Sequence, residues 1–469
     1  MKPGIVYLIG AGPGDPGLIT VKGMEYLRKA DVVIYDYLAN PVFLSAAKES
    51  AERIYVGKKS GRHHSSQDEI NQLLVAKASE GKTVARLKGG DPYVFGRGGE
   101  EALCLHEAGI PFEVVPGVTA SFAAAAYAGI PLTHRDHTTS LGLVTGHENP
   151  EKKMSSLDWE KLATGVGTLV FYMGMANLPL IARELTAHGR PASTPVAIVR
   201  WATTPRQQTL VATLGDVVEK VAAARLKPPA IIIVGEVVNL REQLRWFDTR
   251  PLFGKRVLVT RTAEQSGEFS ALLEATGAEA IPCPVIEIVP PECWDELDQA
   301  IGQLDQTDYL ILTSANAVKI FFARLQAAER DVRALHRTRV VAVGPKTAAA
   351  IATYGLRADL VPADYRAEGV IALLKDAGVA GKRILYPKAA LARELIPKEL
   401  EAAGAQVSAP LAYRTIAPEN LGTDVLTRLR AREIDAVTFT SSSTVTNLLD
   451  LLGADALDLL AGVTIVSIG

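Results

Sequence analysis

Three things are scarce in this 469-residue chain, and each scarcity excludes a class of protein. There are only three cysteines, Cys104, Cys283 and Cys293. They make no paired framework and no metal-ligand spacing, so no metal is expected and a reducing cytoplasm is the simplest home. Cys104 falls in a helical run and reads as a core residue. The formal net charge of −2 leaves no cationic surplus for general nucleic-acid binding, so any affinity for acidic ligands must be local. No apolar run reaches bilayer-spanning length, and MKPGIVYLIGAG enters a strand without signal-peptide anatomy, so a soluble protein with no membrane partner is expected.

What is present is a globular composition, 48% apolar and 22% charged, over strand-like and helix-like segments in alternation. That pattern predicts α/β architecture, and the length predicts two to four domains. The densest stretch is 88–101, KGGDPYVFGRGGEE, between the apolar run 83–87 and a helical run near 100–108. Gly89 and Gly90 free the backbone, Asp91-Pro92 fixes a turn, and Gly96, Gly98 and Gly99 interrupt a helix start. One carboxylate and one arginine among so many glycines suit main chain lying against a ligand.

Near the N-terminus, strand 5–9 turns through GAGPGDPG into a helix beginning near Thr20. A dinucleotide fold competes for this segment, because GxG follows a strand and Asp36 lies at the end of a later one. Asp15 stands where the third glycine belongs, and Pro13 and Pro16 lack the N–H donors that cradle a pyrophosphate. Nicotinamide-dependent oxidation is the alternative this disfavours. Further on, 54–59 reads as a strand entering the polar loop SGRHHS, and Ser66 or Asp68 caps a helix over 69–79. His63 and His64 are adjacent without a ligand partner at metal spacing. VPGVTA (115–120) is another strand-to-helix turn, leading into an alanine-rich helix over 121–128 that permits close packing.

GAGPGDPGLIT (10–20), VVIYDYL (32–38), VGKK (56–59), KGGDPYVFGRGGEE (88–101), VPGVTA (115–120), GIPLTHRD (129–136), VTGH (144–147), TLVFYMGM (168–175) and ATTPRQQT (202–209) resemble uroporphyrinogen-III C-methyltransferase, in that family's order and spacing. The resemblance implies a two-lobed tetrapyrrole-methylase fold over 1–244, with S-adenosylmethionine between the lobes and a homodimer as the assembly. Carried over, the cofactor contacts are Pro13, Gly89, Gly90, Asp91 and Val94 in the first lobe. Thr119, Ala120, Met173 and Ala202 complete them, with Ala202 where the family more often has glycine. Asp91 is expected to accept from a cationic or hydroxyl group. The resemblance nominates Asp36 as proton acceptor and Lys58 as proton donor, in a double methylation at C2 and C7 that yields precorrin-2 on the siroheme and cobalamin branch. Arg62, Arg97, His134 and Arg135 are candidates for the substrate's carboxylates and read equally as solvated charges.

Residues 245–255, broken by proline and glycine yet carrying Trp246 and Phe247, read as a short docked linker. From Arg256 the chain repeats itself. Arg256, Gly277-Ala278, Pro291, Asp308 and Thr313-Ser314 recur as Arg383, Gly404-Ala405, Pro418, Asp435 and Thr440-Ser441 at one offset (383 − 256 = 440 − 313 = 127), which implies two related α/β halves. VLVTR (257–261), LTSANAV (312–318), AVGPKTA (342–348), LYPKAALARELIPKEL (385–400), YRT (413–415) and FTSSST (439–444) resemble uroporphyrinogen-III synthase, which makes the methylase's substrate. The implied fold over 256–469 has two lobes joined by a two-stranded ladder, one lobe inserted at about 288–416. Tyr413 then assists hydroxide departure from hydroxymethylbilane, and Thr313, Ser314, Thr440 and Ser441 meet the substrate's carboxylates. A two-lobed sensor that binds a tetrapyrrole without chemistry is the competing reading. By analogy with 345–376 the second half stops short of its covering helix, so this fold is expected to be C-terminally incomplete, with 430–469 poorly packed and ring closure weak.

Overall fold

The computed structural model describes residues 2–57, 66–146 and 157–468. The chain divides into two compact units, 1–256 with 271–280, and 257–270 with 281–469. Among the described residues no helix is long and apolar enough to cross a membrane.

The first unit holds two five-stranded sheets. One is wholly parallel, in the order β3-β2-β4-β1-β5, from β1 (Ile5–Gly10), β2 (Val32–Tyr35), β3 (Glu52–Tyr55), β4 (Thr83–Lys88) and β5 (Phe112–Val115). Because both faces are covered, its strands are near-continuous apolar runs. Ile9, Val33 and Leu87 pack on one side with Leu27 and Phe43, and Val6, Leu8, Ile34 and Val84 on the other with Leu74 and Leu105. Thr20 caps the helix Val21–Lys29 by accepting from Gly23 N, and Ser66 forms a capping box with Glu69 on Gln67–Ser79.

The second sheet runs β6-β7-β10-β8-β9, from β6 (Leu141–Thr145), β7 (Thr168–Tyr172), β8 (Pro195–Arg200), β9 (Gln208–Thr213) and β10 (Ala230–Val234). It is mixed, with only β6 and β7 parallel. The helix Ala120–Ala128 follows β5 yet packs on this second sheet. Its Ala124, Ala125 and Ala128 lie in one cluster with Val170, Ala197 and Ile233, so the small-residue run fastens the two lobes together. Residues 245–255 lie within the first unit: Phe247 is buried, Trp246 Nε1 donates to Ala126 O at 2.9 Å, and Arg250 lies over both rings.

The second unit realises the repeat in an exchanged form. One sheet has the order β12-β11-β20-β21, from β11 (Arg256–Val259), β12 (Glu279–Pro282), β20 (Ala436–Phe439) and β21 (Thr464–Ser467). The other reads β18-β16-β14-β15 from the opposite edge, from β14 (Tyr309–Leu312), β15 (Arg339–Ala342), β16 (Arg383–Leu385) and β18 (Gln406–Ser408). The orders superimpose strand for strand, but each sheet takes two strands from each sequence half. The lobes are therefore not the two repeats, as the offset alone suggests. Between them β13 (Glu287–Val289) pairs antiparallel with β19 (Leu411–Ile416), which is parallel to β17 (Lys388–Ala389).

The C-terminal region corrects one expectation. Ile434, Val437, Phe439, Leu448, Leu452 and Leu459 are buried in a single core, so 430–459 is well packed. Strand β21 itself is open: Ile465 and Val466 are 57% and 45% exposed, whereas Val340 and Val341 in the equivalent strand β15 are 2% and 0%. Strand β15 is covered by the helix Pro345–Ala352 and bridged by Leu360 at Val341. Cys104 is half-buried rather than a core residue.

Candidate active site

The loops that leave the carboxyl ends of β1, β4 and β5 cross at three glycines. A methyl on Gly10 would sit 2.5 Å from Gly117 Cα and 2.8 Å from Gly90 O, and one on Gly117 would sit 2.3 Å from Gly90 O. Backbone therefore touches backbone, which no other residue type permits here. Gly12 and Gly90 form an antiparallel bridge, with N to O distances of 3.2 and 2.7 Å and both φ angles near +70°. Asp91 locks the crossing. Its Oδ1 accepts from Tyr93 N and Val94 N at 2.8 and 3.1 Å, and its Oδ2 accepts from Gly117 N at 2.9 Å. The carboxylate expected to meet a ligand thus holds the loop that would meet it.

The facing wall comes from the second lobe. Tyr172, at the end of β7, hydrogen-bonds Thr119 Oγ1 and Ser121 Oγ, both at 2.6 Å, and its ring lies tilted by 50° against Phe95 with centroids 4.8 Å apart. Met173 follows at φ +54° and is half exposed. With Tyr93, Phe95 and Gly98 it lines an open cavity of about 360 Å³. Phe95, Arg97, Met173, Trp201 and Thr203 all have left-handed backbones, five of the eight such non-glycine residues described. Strain of this kind persists only where the surroundings over-determine it, and here it collects on the loops around one cleft. Pro13 follows the Gly12 bridge, and Ala202 stands beside it: a methyl on Gly14 would meet Thr204 Cγ2 at 2.9 Å and Ala202 O at 3.4 Å. Of the nine expected cofactor contacts Met173 lines this cavity; Gly89, Gly90, Asp91 and Val94 lie in the loop after β4, Pro13 in the turn after β1, Thr119 and Ala120 at the start of the helix after β5, and Ala202 in the turn after β8.

Beneath the first-lobe loops lies a buried charge cluster that motif reading passes over. Glu101 Oε1 accepts from Lys88 Nζ at 2.7 Å and from Arg86 Nε at 3.2 Å, and all three side chains are at most 4% exposed. Glu101 Oε2 has no hydrogen-bond partner among the described residues. Arg86 Nη2 also reaches Asp36 Oδ2 at 3.5 Å, so Asp36 is the only partly exposed member, at the mouth. Burial and the neighbouring Arg86 charge push the Lys88 ammonium below the usual lysine range, against the pull of Glu101. The legible signal is two cations at i and i+2, on one face of an otherwise apolar parallel strand.

Lys58, Arg62, His63 and His64 lie outside the described residues, as does His147 of the VTGH motif. Arg97 is exposed and engaged with Glu100, Nε to Oε1 2.9 Å. His134 accepts from Asp136 N through Nδ1 at 3.2 Å, and Arg135 is exposed.

In the second unit Thr313 and Ser314 end β14. Ser314 caps the helix Ala315–Ala327 through Ala317 N and lies 3.1 Å from Tyr413 Oη, which is buried on β19. Tyr386, which motif reading leaves unremarked, is buried and hydrogen-bonded to Thr313; burial pushes its phenol above the usual range. Thr440 and Ser441 end β20 in the other sheet, where Ser441 forms a capping box on Ser442–Leu452. Ser314 and Ser441 hydroxyls thus already serve helix N-termini, and no described contact joins Thr440 or Ser441 to Tyr413. Among the described residues no group of His, Cys, Asp or Glu is placed to hold a metal.

Comparison with known proteins assigns both units. Residues 5–218 match the tetrapyrrole (corrin/porphyrin) methylases, and residues 267–469 match uroporphyrinogen-III synthase HemD. A porphyrin biosynthesis protein HemD of Ruminiclostridium josui is 40% identical over 95% of this chain and 88% of its own length. A uroporphyrinogen-III C-methyltransferase of Bacillus subtilis is 45% identical over 71% of this chain and 68% of its own. A siroheme synthase of Hahella chejuensis is 53% identical over 52% of each. The chain belongs to the tetrapyrrole methylase family through its first unit and to the uroporphyrinogen-III synthase family through its second.

Proposed function

We propose that this protein methylates uroporphyrinogen III at C2 and C7 to give precorrin-2, and that its second unit closes hydroxymethylbilane to supply that substrate. The observation that carries the methylase reading is the cradle in which Gly10, Gly90 and Gly117 bring three backbones into contact, at the root of the loop whose Tyr93, Phe95 and Gly98 line a cavity with the half-exposed Met173. Main chain free of side chains on one wall and an adaptable apolar side chain on the other suit S-adenosylmethionine. When bound, that cofactor supplies a methyl group already activated on sulfur. What remains for the protein is alignment and exclusion of water.

Pro13, Gly89, Gly90, Asp91 and Val94 hold the cofactor from the first lobe, and Thr119, Ala120, Met173 and Ala202 from the other side. Asp36, steadied by Arg86, takes the proton that the methylated ring must lose; Lys58 is the donor on the resemblance alone. Arg62, Arg97, His134 and Arg135 meet substrate carboxylates, for which Arg97 exchanges Glu100. In the second unit Tyr413 assists loss of hydroxide and Thr313, Ser314, Thr440 and Ser441 bind carboxylates. The Ser314–Tyr413 contact supports this, because it sits in the lobe whose sheet is covered, whereas the exposed β21 belongs to the other sheet. The assembly in this reading is a homodimer through the methylase unit, working in the cytoplasm.

The test incubates the whole chain anaerobically with S-adenosylmethionine and uroporphyrinogen III, with and without NAD. Precorrin-2 in both reactions is the expected result. Absence of methylated product refutes the reading. Sirohydrochlorin appearing only with NAD supports the oxidoreductase alternative.

A further inference from the structure

Four residues close a hydrogen-bonded ring across the first unit's two lobes. Asp15 N donates to Thr203 Oγ1 at 3.0 Å, and Thr203 N donates to Gln207 Oε1 at 2.9 Å. Gln207 Nε2 donates to Tyr127 O at 3.1 Å, and Tyr127 Oη donates to Asp15 Oδ2 at 2.6 Å. Three segments distant in sequence meet in it: the turn after β1, the end of the helix Ala120–Ala128, and the turn between β8 and β9. Thr203 and Gln207 are 4% and 5% exposed, so their polar atoms depend on these partners. Thr203 also holds φ +68°, which a β-branched residue adopts only when its neighbours compel it.

The ring is braced from behind. The Tyr127 ring packs against Trp246 and Phe247, with centroids 5.1 and 4.8 Å away, and Trp246 is itself tied to Ala126 O. Burial and the bond to Asp15 push the Tyr127 phenol above its usual range, so it remains a donor at any working pH. In front, the ring clamps Gly14 against Thr203 and Thr204, while Asn40 Nδ2 holds Gly14 O at 2.7 Å. Gly14 follows Pro13, and Thr203 follows Ala202. The clamp therefore fixes the spacing of two backbones that face the cleft from opposite lobes.

We propose that Tyr127 and Gln207 are positioning residues of the methylase: through this ring they set the Pro13 turn against Ala202, and so the affinity for the cofactor. The proposal rests on the methylase reading above. It also gives the aromatic pair of the connecting segment a part in cofactor binding, although the methylase family match ends at residue 218.

The test is Tyr127→Phe in the full chain, which removes one hydroxyl and keeps the packing on Trp246 and Phe247. Titration with S-adenosylhomocysteine by calorimetry should show binding weakened about ten-fold or more, the scale of a lost hydrogen bond to a charged group. KM for S-adenosylmethionine should rise in step, while kcat at saturation, KM for uroporphyrinogen III and the melting temperature stay near wild type. Gln207→Glu keeps the acceptor for Thr203 N and drops the donor to Tyr127 O; it should shift cofactor affinity in the same direction and stands in if the first variant fails to fold. Wild-type affinity in both variants overturns the proposal, as does an equal loss of kcat and of tetrapyrrole affinity with a lowered melting temperature. A wild-type chain that binds no S-adenosylhomocysteine overturns the methylase reading itself, and this proposal with it.

Discussion

Glu101→Ala should lower the stability of the first unit by about 3–5 kcal/mol, the scale of breaking a buried ion pair from one side. The substitution leaves Lys88 and Arg86 buried without the carboxylate they share, and among the described residues the one ion pair left to them is that of Arg86 with Asp36 at 3.5 Å. The arithmetic favours a large loss, because the cost is the desolvation of the cations that remain rather than the worth of the contact removed. Scanning calorimetry on the whole chain should show the first unit's transition displaced by several degrees and the second unit's unchanged. Combining Glu101→Leu with Lys88→Met should recover much of the loss, since uncharged side chains of similar size leave fewer buried charges unpaired. An unshifted transition in Glu101→Ala would show that the cluster is solvated and contradict this account of it.

The second large effect falls on binding. Asp91→Ala should reduce affinity for S-adenosylhomocysteine by about 100-fold or more, because three backbone N–H groups lose their acceptor at once and each costs about 1–3 kcal/mol when left unpaired. The loss is indirect. Without the carboxylate, Gly117 is no longer held to the 88–94 loop, and the glycine crossing that shapes the cradle is free to part. Asp91→Asn, which keeps an acceptor oxygen for one side of the crossing, should lose less. Calorimetry on the two variants checks this, and wild-type binding by Asp91→Ala would refute the assignment of this loop to the cofactor.

Much of the first unit could be read from local sequence, because its site is built at strand ends. Gly10, Gly90 and Gly117 each follow an apolar run and each interrupts a pattern that would otherwise continue. Of the buried charges only the i, i+2 spacing of Arg86 and Lys88 was legible, since nothing in VARLK says which side of the strand is covered. Glu101, read only as part of the helical run near 100–108, is fully buried in the first lobe. The ring through Tyr127 and Gln207 joins residues 80 apart in the chain, a separation no local pattern spans. In the second unit the 127-residue offset revealed two copies but not their exchange, because strand pairing between halves leaves no trace in either half alone. Ser314 and Ser441, read only as partners for the substrate's carboxylates, both cap helices in the structure.

The central claim is that one chain both makes and methylates the macrocycle. The most direct measurement supplies hydroxymethylbilane as the only tetrapyrrole, with S-adenosylmethionine, to the pure 469-residue protein under anaerobic conditions, and identifies the product by mass and isomer type. The account predicts precorrin-2 derived from the type III isomer, formed faster than hydroxymethylbilane closes unaided. Accumulation of the unrearranged type I macrocycle at the uncatalysed rate would contradict it.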